Sequence, residues 1–284
     1  MVSILSWGLL MAGKSEVVVK SNRLVEASYR LNLVEQQIIL FAISRSRDEQ
    51  LGLSPNKPVT IAAGDFAKAF GTNETKVYGQ LKEAMANLFD RSVTIYDVDP
   101  ETGKDRTVTT RWISDKAYID GAGRIQLTFA PRVIPYITRL ESEFTSYRLE
   151  KISGMSSVYS MRLYELLVQY LTIGKREFSL INLRECLGLS SEYKAIKDFK
   201  KRVLETAVEQ INEHSDIRVS YTQRKTGRTV THLIFSIEPE LKFVQTKRKL
   251  GKLTTAEIAK RARPGESWAT AHARLNQIPL VLSE

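Results

Sequence analysis

The chain carries one pattern of punctuation twice. A short β-prone run, Val59-Thr-Ile61, leads into a short amphipathic helix, Asp65 to Phe70, which Gly71 stops; a longer helix, Thr75 to Asp90, and β-runs follow. The order returns as a strand at Phe178 to Leu180, a short helix from Asn182 to Leu187 stopped by Gly188, a long helix from Tyr193 to His214, and the runs Ile217 to Tyr221 and Val230 to Ile237. Superposed, Ile61 meets Phe178, Phe66 meets Leu183, Phe70 meets Leu187 and Gly71 meets Gly188. A longer second inter-helix turn then brings Leu81 onto Leu204, Ala84 onto Ala207, Met85 onto Val208 and Leu88 onto Ile211. A glycine just past the last apolar position is a left-handed helix stop. Any two amphipathic helices can be slid into register, but common order, common stops and following strands favour a duplicated helix-strand-helix-helix-hairpin unit. Leu33 to Ile43 and Ser157 to Leu171 supply the leading helices. The hairpin following the first long helix is expected at Val93 to Val98 and Thr107 to Ile113, so that residues 59–113 are the counterpart of the second unit; Arg124 to Phe129 adds a further hairpin.

A helix followed by a basic hairpin is the order of a winged helix. In the second unit Ile196, Phe199, Val203, Leu204, Ala207 and Ile211 fall on one arc at about 100° per residue, and Lys194, Asp198, Lys201, Arg202 and Glu205 on the other. The turn Gln223 to Arg228 has Gly227 for the reversal, with Arg224, Lys225 and Arg228 around it. Such a helix enters a major groove while the short helix before it crosses the backbone. Lys201 and Arg202 are therefore the candidates for base edges, since both donate to guanine O6 and N7; Lys194, Lys197, Arg224, Lys225 and Arg228 are the candidates for phosphates. A solvated helix side is the competing reading, because Glu205 and Glu209 lie near the same face. The fold class expected is α+β, two tandem winged-helix domains related by internal duplication, plus a basic C-terminal extension.

The 284 residues carry a formal charge of +10, which favours a polyanionic partner, and a 43% hydrophobic content supplies two ordinary cores. Cys186 is the single cysteine, so neither a disulfide nor a thiolate metal cluster can form within the chain, and a reducing cytoplasm fits. The apolar residues 1–12 fall short of the roughly 20 needed to span a bilayer and have no cationic region ahead of them. Gly8-Leu-Leu-Met-Ala-Gly13-Lys14-Ser15 matches the phosphate-binding loop pattern, which would make the chain a DNA-dependent ATPase. That loop needs a strand before it and a helix after it; Val17-Val-Val19 prefers strand, and the alternating strand-helix order of a nucleotide-binding sheet is missing. His214, His232 and His272 are scattered without ligand spacing, and Tyr159, Tyr164 and Tyr170 read as helix-packing residues. No catalytic residue, metal or cofactor is expected.

Several segments resemble a known family, the initiator replication proteins of theta-replicating plasmids with iterons, a group that includes the plasmid F initiator. The segments are Val19-Lys-Ser-Asn-Arg-Leu-Val-Glu-Ala-Ser-Tyr29, Glu35-Gln-Gln-Ile-Ile-Leu40, Tyr159-Ser-Met-Arg-Leu-Tyr-Glu-Leu-Leu-Val-Gln-Tyr170, Phe199-Lys-Lys-Arg-Val-Leu204 with Ile211-Asn212, and Gly227-Arg-Thr-Val230. The resemblance spans about residues 17–240. It implies a first winged helix over 17–150 and a second over 151–240; residues 1–16 and 241–284 lie outside it, the first expected to be a flexible leader and the second, from its excess of Lys and Arg, a basic extension. It further implies that the second domain reads iterons in double-stranded DNA, while the first touches backbone through the helix Thr75 to Asp90, with Lys76 and Lys82 as candidates, and takes part in dimerisation. Monomers would open the origin, dimers would bind an operator inverted repeat and repress the protein's own gene, and a host replication initiator and helicase would be recruited. No membrane partner is expected. A plasmid-borne transcriptional repressor is the alternative within the DNA-binding class.

Overall fold

The computed structural model describes residues 16–138, 143–189 and 192–240. The leader with its Gly8–Ser15 motif and the extension beyond Glu240 lie outside the described residues. The chain opens with β1 (Val17–Ser21), α1 (Asn22–Val25) and β2 (Ser28–Tyr29). Asn32 then starts α2 (Leu33–Glu49) with a reciprocal cap: its side chain accepts from the Glu35 N–H at 2.8 Å, and the Glu35 carboxylate accepts from the Asn32 N–H at 2.9 Å. The first helix pair follows a short strand, as β3 (Val59–Ala62), α3 (Ala63–Phe70) and α4 (Glu74–Leu88). Two hairpins come next, β4 (Ser92–Val98) with β5 (Asp105–Arg111), and β6 (Ile113–Ile119) with β7 (Arg124–Phe129); α5 (Pro135–Thr138) and β8 (Phe144–Arg148) close this half.

The second half is α6 (Val158–Val168), β9 (Lys175–Ser179), α7 (Leu180–Cys186), a long helix, then β10 (Ile217–Thr226) and β11 (Thr229–Pro239). Among the described residues the strands form four antiparallel sheets, ordered β1-β8, β2-β4-β5, β3-β7-β6 and β10-β11-β9. The duplication is visible in two of them. β3 pairs with β7, the second strand of its hairpin, just as β9 pairs with β11. Ile61 and Phe178, Phe66 and Leu183, Phe70 and Leu187, and Leu81 and Leu204 are all buried, and Gly71 and Gly188 both sit at positive φ, +62° and +68°.

The same pairing corrects the extent of the first unit. Its wing is β6–β7, not the hairpin β4–β5 that follows α4 directly, and the counterpart of the second unit runs to Phe129 rather than to residue 113. The hairpin β4–β5 belongs to a separate sheet with β2. Both hairpins alternate apolar and polar residues around good turns, so local pattern cannot say which one β3 selects; that choice is a long-range pairing.

The long helix is also different from expectation. It begins at Ile196, as α8 (Ile196–Phe199), passes through a π turn (Lys200–Glu205) and continues as α9 (Thr206–His214). Tyr193 precedes it in left-handed conformation, φ +51°, so Tyr193 and Lys194 lie in the turn and not in the helix. The π turn has a sequence cause. Phe199, Val203, Ala207 and Ile211 are buried at every fourth position. An uninterrupted α-helix drifts about 40° per four residues, about 120° by Ile211, and one residue absorbed in a π turn takes back about 100° of that. All four side chains therefore stay on the core side.

The two winged helices meet around α6. Arg162 is fully buried over the Tyr29 ring, 4.0 Å from its centroid, and donates to the carbonyls of Val25 at 3.0 Å, Ala27 at 3.0 Å and Cys186 at 2.8 Å. Its neighbour Glu165 pairs with Lys20 of β1 and accepts from the Tyr147 hydroxyl at 2.6 Å. These contacts tie β1, α1, β2 and β8 to α6 and to the end of α7.

Candidate nucleic-acid interface

Charge along the long helix of the second unit is divided in two. Lys197, Lys201 and Arg202 are exposed in its first half beside one exposed acid, Asp198, whereas Glu205, Glu209 and Glu213 are exposed further along. A polyanion is attracted to the N-terminal half and repelled by the rest, so that half is the one able to enter a groove. Among the described residues neither Lys197, Lys201 nor Arg202 has an ion-pair partner. Lys194 is exposed in the turn just before the helix.

At the wing, Lys225 and Arg228 are exposed at the tip, where Gly227 at φ +61° allows the two-residue reversal between β10 and β11. Arg224 is placed differently. It pairs with Glu177 of β9 at 2.8 Å, with 53% of its side chain still exposed, so part of its charge is met within the protein. In the first unit, Lys76 is exposed on α4. Lys82 on the same helix donates to Asp120 in the β6–β7 turn at 2.9 Å, and lies 5.7 Å from the Tyr78 ring and 5.4 Å from the Tyr118 ring. Its bond to Asp120 holds the Lys82 ammonium above and the Asp120 carboxyl below their ordinary ranges. Lys82 thus joins α4 to its own wing, a structural use that spacing alone does not reveal.

Two positioning cations escaped the sequence reading. Arg184 of α7 stacks over the Phe199 ring at 4.5 Å and donates to the carbonyls of Glu192 and Tyr193, which fixes the turn ahead of the helix. Lys200 donates to Gln223 at 3.4 Å and lies 5.9 Å from the Tyr221 ring, joining helix to wing. In the sequence Lys200 is one cation in a run, and Arg184 one charge on a short amphipathic helix; neither offers a local signal. Asn212 completes the frame, donating to the Val219 carbonyl at 2.9 Å and accepting from the Val219 N–H at 2.7 Å.

Residues 17–168 match the family described as initiator replication protein, first winged-helix domain, and residues 179–237 match the initiator Rep protein second winged-helix domain. The chain belongs to the initiator replication protein family. This initiator is similar to an Escherichia coli replication initiation protein, 25% identical over 228 residues, covering 78% of this chain and 69% of that one. It is also similar to an uncharacterised 27.6 kDa protein of Escherichia coli, 23% identical over 239 residues, covering 81% of this chain and 98% of that one. Among solved structures, the Pi initiator protein in complex with iteron DNA shares its fold, with a TM-score of 0.65 and 23% identity over 79% of this chain and 98% of that one. The protein is accordingly a DNA-binding replication initiator built from two winged helices. Among the described residues no helix is long and apolar enough to cross a membrane, and no group of three His, Cys, Asp or Glu is placed to hold a metal ion.

Proposed function

We propose that this initiator binds repeated sites, iterons, in a plasmid replication origin, with residues 151–240 reading the sequence and residues 17–150 touching adjacent backbone and a second subunit. The observation that carries the reading is the cluster of exposed cations, Lys197, Lys201 and Arg202, on the first half of the helix Ile196–His214, with Lys225 and Arg228 exposed at the tip of the wing that follows it. Lys201 and Arg202 meet base edges; Lys194, Lys197, Lys225 and Arg228 meet phosphates, joined by Arg224 and Lys82 to the extent that Glu177 and Asp120 release them. Lys76 contacts backbone from the first unit. The protein opens the origin and recruits a host replication initiator and helicase without a catalytic step of its own, and as a dimer it binds an operator inverted repeat and represses its own gene. The structural relative in complex with iteron DNA supports the choice of ligand.

Footprinting of the full chain on its parent replicon tests this reading. Protection of direct repeats spaced by whole helical turns is the expected result; protection of a single inverted repeat alone would identify a repressor instead. Arg202→Ala should lower the preference for the protected site over random DNA by about 1 to 3 kcal/mol if it makes a bidentate base contact.

A further inference from the structure

The turn that leads into the helix Ile196–His214 rests on a strand of the other winged helix. Gly188 leaves α7 with its backbone so close to β2 that a Cβ there would lie 2.1 Å from the Tyr29 carbonyl oxygen and 3.2 Å from Arg30 Cα. The Cys186 thiol contacts the Glu26 carbonyl at 3.4 Å beside it. Further along the turn, Arg30, the residue after β2, forms an ion pair with Glu192. Glu192 is followed by left-handed Tyr193, and the carbonyls of both receive the Arg184 guanidinium. The approach to the helix is therefore held from inside by Arg184 and from the first winged helix by Arg30. β2 itself is held by β4, through Ser28 opposite Thr94 and Tyr29 opposite Val93. The additional sheet β2-β4-β5 thus has a position that the duplicated unit does not explain: it supports the entry turn of the second unit.

We propose that Arg30 is a positioning residue for DNA reading. Its ion pair with Glu192 sets where the first turn of the helix Ile196–His214 lies, so that the first winged helix tunes the sequence preference of the second without touching a base. The proposal rests on the reading of that helix as the element that meets base edges. Bidentate contacts to base edges are specific because their geometry is narrow, so a small displacement of Lys201 or Arg202 weakens the correct sequence more than random sequence, which is held through phosphates. Arg30 is 67% exposed and Glu192 26%, so the pair contributes little to folding and its variants remain folded.

The test compares two duplexes of equal length, one selected by the full-length protein from a randomised pool and one scrambled, in fluorescence anisotropy across a salt series. Arg30→Gln should lower the affinity ratio about fivefold, or about 1 kcal/mol at 1.4 kcal/mol per tenfold, with the salt slope unchanged. Arg30→Lys should retain most of the ratio, and the exchange Arg30→Glu with Glu192→Arg should recover it. An unchanged ratio in Arg30→Gln overturns the proposal. Equal weakening on both duplexes, with the slope shallower by about one, also overturns it and makes Arg30 a phosphate contact. Arg202→Ala is measured in parallel. If it lowers the ratio while Arg30→Gln does not, the helix still reads DNA and the positioning role falls; if neither changes the ratio, the reading of the helix falls with it.

Discussion

Lys20 of β1 and Glu165 of α6 form an ion pair with both side chains wholly inaccessible to solvent. Burial pulls the Lys20 ammonium down to about 8, against the pull of Glu165. Burial pushes the Glu165 carboxyl up, but Lys20 and Arg162 together outweigh it and hold that carboxyl below its ordinary value. Such a pair adds little net stability, yet losing one partner leaves the other charge buried and costs about 3 to 5 kcal/mol. Lys20→Met should lower the unfolding free energy by an amount in that range, and adding Glu165→Gln should recover part of it. A double-mutant cycle in urea measures both; strict additivity would show that the two groups are not coupled.

The pH dependence follows from the same carboxyl. The Glu165 pKa lies below 4.5 in the folded protein, and those of Asp97 and Asp99 lie below 3.8, the latter two held down by Arg106 and, for Asp99, first by Thr102. As pH falls the unfolded chain takes up protons first, so the stability these groups contribute is complete above those values and is lost below them. Urea midpoints should be flat from pH 7 to about 5 and decline below that. Glu165→Gln should flatten the decline, and an unaltered acid limb would assign it to other carboxylates.

Gly71 and Gly188 occupy equivalent places but have unequal surroundings. A Cβ at Gly71 meets nothing within 4 Å, whereas at Gly188 it would strike the Tyr29 carbonyl. Gly71→Ala should cost about 1 to 2 kcal/mol, the ordinary penalty of a left-handed residue. Gly188→Ala should cost more and disturb the contact between the winged helices. Equal losses in chemical denaturation would mean that the turn moves off β2 without resistance.

Paired and unpaired cations should differ in salt dependence. Lys225→Ala removes a charge that has no ion-pair partner among the described residues and should make the slope of affinity against salt shallower by about one. Glu177→Gln and Asp120→Asn release Arg224 and Lys82 from their internal partners and should steepen it. A steepening in neither variant would place these two cations away from DNA.

The sequence by itself determined the duplicated unit, the stop glycines Gly71 and Gly188, and the basic character of the long helix and wing tip. Each depends on residues a few positions apart, where helical period, backbone conformation and turn chemistry act directly. Only the tertiary structure decided that β3 pairs with β7 rather than with the nearer hairpin, and that a π turn keeps Phe199, Val203, Ala207 and Ile211 in line. It likewise decided which cations are paired within the fold. Lys82 and Arg224 look like Lys76 and Lys225 in sequence, but Asp120 and Glu177 reach them across a fold that brings distant residues within 3 Å. Spacing along the chain carries no record of such contacts, because they depend on where whole strands and helices are placed, and that placement is settled by burial summed over both winged helices.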